Sequence, residues 1–190
     1  MSEMQGKTIT ICIVDDIESI VEGIRTQVDW ARHGMTVVGT ALNGEDGLAL
    51  IREHKPDIIL TDIRMPKMDG MEMARIVREE LPNSKVLLLT GYTDFHYAQQ
   101  AVSMGVFDFV TKPFSLEQIE EAVLKAKRAV DESRLQSLKL HSLEQQAKEG
   151  IRMKRRHYLN MIVRHKADEA SALAHWESLE MELDSTKLVA

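Results

Sequence analysis

One cysteine in 190 residues excludes an internal disulfide. That residue, Cys12, lies in the apolar run ITICIV, where a small buried side chain fits better than a reactive thiol. No apolar stretch approaches the roughly 20 residues needed to span a bilayer, and MSEMQGKTIT lacks the basic start and apolar core of a signal segment. The chain is therefore expected in the cytoplasm, with no membrane partner. A broad basic face is missing as well. The net charge is −6, and the excess of acid lies in the first two thirds, which argues against nucleic-acid contact there. The basic run RMKRRH at 152–157 is short and set among acidic residues, as on a solvated helix face. GKT at 6–8 lacks the upstream glycine of a Walker phosphate loop.

What is present is a repeat of apolar, β-branched runs: TITICIV (8–14), MTVVGTA (35–41), DIIL (57–60), KVLLLT (85–90) and DFV (108–110). Their near-continuous apolar character fits parallel strands covered on both faces. Helical faces fall between them, with Ile20, Val21, Ile24 and Val28 in the first gap and Leu48 and Ile51 in the second. Three helix starts carry a capping signal: Asn43 before Asp46, Asp69 before Glu72, and Ser115 before Gln118. Alternation of this kind predicts an α/β fold, a flavodoxin-like doubly wound five-stranded parallel sheet (βα)5.

After Ser115 the pattern Leu116, Ile119, Val123, Ala126, Val130 runs on without Gly or Pro until Gly150, where the helix is expected to stop. Beyond Val130 the apolar positions Leu135, Leu138 and Leu143 are sparse and a strict heptad fails at Ser142, so a dimer seam and a solvated linker both remain open. Two further helices are expected, one carrying Tyr158, Leu159 and Ile162, the other Leu173, Trp176, Leu179 and Leu183, before TKLVA begins a strand. The resulting division is a domain at 1–128, a helical linker at 129–150 and the mostly helical start of a second module at 151–190.

In a doubly wound sheet, ligands bind beyond the carboxyl ends of the strands. Asp15 and Asp16 end the first strand, Asp62 the third, Thr90 and Gly91 the fourth, and Lys112 the fifth, followed by Pro113. Three carboxylates meeting in one crevice repel strongly, on the order of several kcal/mol per close pair, and a cation must compensate. Mg²⁺ suits, because it takes a few hard oxygens and keeps water positions open for phosphoryl oxygens. Lys112 and Thr90 would face an oxyanion, and a carboxylate oxygen of Asp62 would attack phosphorus to give an acyl phosphate. Pro66, by fixing φ, and Gly70, by permitting unusual φ, would shape the following loop. Taken singly, Asp15 and Asp16 read equally well as helix caps, Asp69 as a cap, and Lys112 and Thr90 as ordinary surface and strand-end residues. Joint placement on the right strands is what favours the chemical reading.

Over residues 8 to about 128 the segments IVDDIES, LTDIRMPKMDG, LLTGY and FVTKPF resemble the receiver domain of bacterial two-component response regulators. The resemblance implies that Asp62 is the phosphoacceptor of a sensor histidine kinase and that Asp15, Asp16, Asp62 and the backbone carbonyl of Arg64 hold Mg²⁺. It further implies that Lys112 pairs with the phosphoryl group, that Thr90 is the switch hydroxyl, and that Phe109 is the switch aromatic. Such a domain phosphorylates itself and slowly loses the group; it is not an enzyme turning over a separate substrate. GYTDFHYAQQAVSMGVFDF and RRHYLNMIVR are similar to receivers joined to an AraC-type helix-turn-helix output domain, which would control transcription. That domain would need roughly 100 further residues, so the chain is expected to be a shortened form or a single-domain relative acting through protein–protein contacts.

Three rivals are weaker. A haloacid-dehalogenase-like hydrolase needs a second Asp two residues beyond the nucleophile, where Arg64 stands. An FMN carrier needs a Ser/Thr/Gly-rich phosphate loop where DDIES would repel the ligand. A scaffold module without phosphorylation would have no use for the full set of site residues.

Overall fold

The computed structural model describes residues 8–91 and 106–165, with side chains to residue 160. Five strands, β1 (Ile9–Val14), β2 (Met35–Ala41), β3 (Ile58–Asp62), β4 (Lys85–Gly91) and β5 (Asp108–Lys112), form one sheet in the order β2-β1-β3-β4-β5. Every neighbouring pair is parallel. The winding direction reverses between β1 and β3, so the crevice of a doubly wound sheet falls at their carboxyl ends.

Side-chain alternation explains why β1, β3 and β4 read as unbroken apolar runs: both of their faces are covered. Ile11 and Ile13 of β1 point into one core with Val21 and Ile24 of α1 (Glu18–Gln27) and Ile119, Val123, Ala126 and Val130 of α4 (Leu116–His165). Cys12 and Val14 point the other way, against Leu48 and Ile51 of α2 (Gly44–His54) and Met73, Ala74 and Val77 of α3 (Gly70–Glu80).

The three capping signals act as the spacing predicts. The Asn43 side chain accepts from the Asp46 amide at 3.0 Å and that of Asp69 from the Glu72 amide at 2.7 Å. Ser115 and Gln118 exchange backbone-to-side-chain bonds at 2.9 and 3.4 Å, a capping box. The far end of α1 is closed by Trp30, whose indole N–H donates to the carbonyls of Ile24 and Arg25, each at 3.2 Å.

One expectation about the extension fails. Helix α4 does not stop at Gly150 but is continuous from Leu116 to His165. Glycine ends a helix when it takes a left-handed conformation at the cap, and Gly150 is not among the residues with positive φ. In a helix interior it merely costs about 1 kcal/mol relative to alanine, and the strong helix formers of QQAKE and RMKRR flank it. The chain divides into two compact units, Met1–Leu135 and Gln136–Ala190. The first holds the sheet and both cores; the described part of the second is helical. The remainder of the GYTDF motif at 92–105, the Ile162 side chain, the helix expected around Leu173 to Leu183 and the strand expected at TKLVA lie outside the described residues.

Candidate functional site

Three of the residues singled out in the sequence meet at the carboxyl end of the sheet. The Lys112 ammonium, carried by the last residue of β5, lies 2.7 Å from Asp15 Oδ2 and 2.6 Å from Asp62 Oδ1. Asp15 follows β1, is fully buried, and uses its other oxygen to accept from the Ile17 amide at 2.9 Å. It therefore supports the entry to α1 as well as the lysine, without being the N-cap itself, which is Ile17. Asp62 ends β3, is buried, and accepts from the Arg64 amide at 2.8 Å. Register explains the convergence: Asp62 pairs with Leu89, one residue before Thr90, and Gly91 pairs with Lys112. Thr90 is buried at the end of β4. The Lys112–Pro113 peptide is cis.

Two expected members stand apart. Asp16 is exposed, because consecutive residues leaving an extended strand point to opposite sides. Among the described residues no three of the His, Cys, Asp and Glu side chains gather into a metal-holding cluster, so the acidic core of the site is a pair. Phe109, three residues before Lys112, is 43% exposed on β5.

One ammonium shared by two carboxylates leaves the site electrically short of positive charge. Burial raises the Asp62 carboxyl above its ordinary pKa of 3.8, and the neighbouring Asp15 adds to this. Lys112 and the Arg64 amide oppose it without cancelling it. For Lys112, burial works to lower the pKa, but the bonds and charges of Asp15 and Asp62 prevail and hold the ammonium above its usual range. A hard divalent cation suits this donor set: two carboxylates are hard oxygen donors of the kind Mg²⁺ takes while keeping several waters.

The loop from β3 to α3 is shaped by Gly70, as the sequence suggests, but for a different reason. A Cβ on Gly70 would stand 1.9 Å from the carbonyl oxygen of Asp62, while the Gly70 amide donates to the Ile63 carbonyl at 2.8 Å. Gly70 is thus required by close backbone approach, not by an unusual φ; the left-handed residue of the loop is Lys67, at φ 69°. A Cβ on Gly44, the first residue of α2, would likewise stand 2.2 Å from the Met68 carbonyl. The loop beyond Asp62 is therefore seated against the start of α2. Neither Lys67 nor Gly44 is legible from sequence, since no local pattern marks a lysine for positive φ or a glycine for a distant carbonyl.

Residues 11–124 match the response regulator receiver domain. The chain belongs to the response regulator receiver domain family. Among curated proteins this receiver is 33% identical over 122 residues to the transcriptional regulatory protein YesN of Bacillus subtilis (strain 168), covering 62% of this chain and 33% of YesN. The REC domain of AraT, a response regulator from Geobacillus stearothermophilus, superposes with a TM-score of 0.64 at 37% identity, over 67% of this chain and 98% of that one. A two component transcriptional regulator AraC from Clostridium phytofermentans ISDg gives 0.63 at 27% identity, over 66% and 98%. The matched stretch spans between 33% and 50% of the length of the first curated relatives. No helix among the described residues is long and apolar enough to cross a membrane.

Proposed function

We propose that this receiver accepts a phosphoryl group on Asp62 from a sensor histidine kinase and passes the resulting change to a transcriptional output. The observation that carries the reading is the Lys112 ammonium held at 2.7 and 2.6 Å between Asp15 and Asp62. An Asp62 oxygen attacks phosphorus, the P–N bond to the kinase imidazole breaks with its electron pair leaving on nitrogen, and an acyl phosphate remains. Bound Mg²⁺ would supply charge neutralisation for the incoming phosphoryl oxygens. Asp15, Asp16 and Asp62, with the backbone carbonyl of Arg64, are the residues that would hold it. Lys112 would exchange one of its carboxylate contacts for a phosphoryl oxygen, and the Thr90 hydroxyl would donate to another.

Phosphorylation adds close to two negative charges and three acceptors at the end of β3. Drawing Thr90 inward would open space for Phe109, now largely on the surface, and so remodel the surface formed by β5 and α4. Phe lacks a hydroxyl, so its burial strands no polar group. Because α4 continues beyond the receiver, the shift would bias dimerisation through this face and the helical extension, and the position of an AraC-type DNA-binding domain. Likeness to the Clostridium regulator supports that output.

Incubation with acetyl phosphate and Mg²⁺ should label the wild-type chain, and EDTA should suppress the labelling. The Asp62→Asn variant should remain unlabelled; if it is modified at the wild-type rate, the assignment is wrong.

A further inference from the structure

The other end of the same strand carries a second ionic arrangement. Asp57 stands immediately before β3, and one of its carboxylate oxygens, Oδ2, accepts from the Thr10 amide at 2.9 Å and the Thr10 hydroxyl at 3.1 Å. Its own amide donates to that hydroxyl at 3.1 Å, and its carbonyl accepts from the Lys85 amide at 2.8 Å. Asp57 thus ties together the amino ends of β1, β3 and β4. Its remaining oxygen, Oδ1, receives the Arg134 guanidinium at 2.6 Å.

Arg134 lies one turn beyond Val130, the last residue of α4 buried in the sheet core. Every side chain from 135 to 150 is exposed. We propose that the Arg134–Asp57 bond is a tether that decides where α4 leaves the sheet, so that the root of the extension is held by the same strand that ends in Asp62. Two features separate this pair from ordinary surface pairs. Its side chains are 28% and 19% exposed, against 46% and 47% for Arg25–Glu22, so water competes less for it. The carboxylate is already fixed by Thr10, so only the arginine must be ordered when the bond forms. Past Val130 no buried apolar residue anchors the helix root, so its attachment to the sheet depends on polar contacts, among which the Arg134–Asp57 bond reaches the start of β3. Arg134 is in this sense a positioning residue, remote from the acidic pair around Lys112.

Hydrogen exchange read by mass spectrometry on the full chain tests the tether. Arg134→Gln should raise exchange of amides at 131–138 by about tenfold, the scale of losing one charge-assisted bond. Peptides from β1 and β3, and labelling of Asp62 by acetyl phosphate, should be unchanged. Arg134→Lys should restore part of the protection. Asp57→Asn, which keeps an acceptor for Thr10, should raise exchange in the same peptide, and combining it with Arg134→Gln should add little more. Should Asp57→Asn unfold the domain, the two arginine variants decide alone. Exchange at 131–138 unaltered in Arg134→Gln, or raised equally throughout the sheet, would overturn the tether.

Discussion

At the scale of single residues, Asp62 is held in an unfavourable ionised state until more positive charge arrives. Because its folded pKa is raised, its contribution favours the native state below the unfolded value of 3.8 and is lost as pH rises through the folded value. Metal-free Asp62→Asn should therefore melt a few degrees above wild type at pH 7, with the gap closing when the pH falls below 3.8; differential scanning calorimetry at a series of pH values reads it. The sign depends on Lys112 retaining Asp15 as a partner in the variant. Gly70 shows the opposite kind of constraint. Gly70→Ala would force a methyl into the Asp62 carbonyl, and urea unfolding should show a loss of about 3 kcal/mol, the upper range for overpacking. A silent substitution would mean that the loop yields easily and does not hold Asp62 in place. Cys12, by contrast, is inert: burial pushes its thiol up to about 12, consistent with the small apolar role read from ITICIV.

Elements differ in how legible they are. Strands β1, β3 and β4 can be found from composition because two-sided burial demands continuous apolar side chains, and Asn43, Asp69 and Ser115 mark helix starts through local hydrogen bonds that depend only on residues three apart. The far boundary of α4 is different: Gly150 reads locally as a stop, yet its cost is smaller than the combined helical preference of its neighbours. A Cβ at this position meets nothing within 4 Å, so Gly150→Ala should stabilise the helix by about 1 kcal/mol, seen as greater ellipticity at 222 nm and slower exchange around residue 150. An unchanged helix signal would indicate that this stretch is not helical in solution.

For the molecule as a whole, the sheet cores draw on residues between Ile9 and Val130, and the first compact unit closes at Leu135. A chain of residues 1–135 should therefore unfold cooperatively on heating and still be labelled on Asp62; a molten, non-cooperative product would show that the receiver depends on residues 136–190 to fold. Sequence by itself determined the fold class and the placement of acids and a lysine at strand ends, since hydrophobic periodicity and the rule for doubly wound sheets need no coordinates. It named Asp15, Asp62, Thr90 and Lys112 for the same reason. Only the tertiary structure decided that Asp15 and Asp62 share one ammonium while Asp16 faces solvent, that the Asp62 carbonyl leaves no room for a Cβ on Gly70, and that Arg134 reaches Asp57 across 77 positions. Each of those depends on which side a chain turns and on what another strand brings near. Such contacts between residues far apart in sequence leave no periodic trace for a local pattern to record.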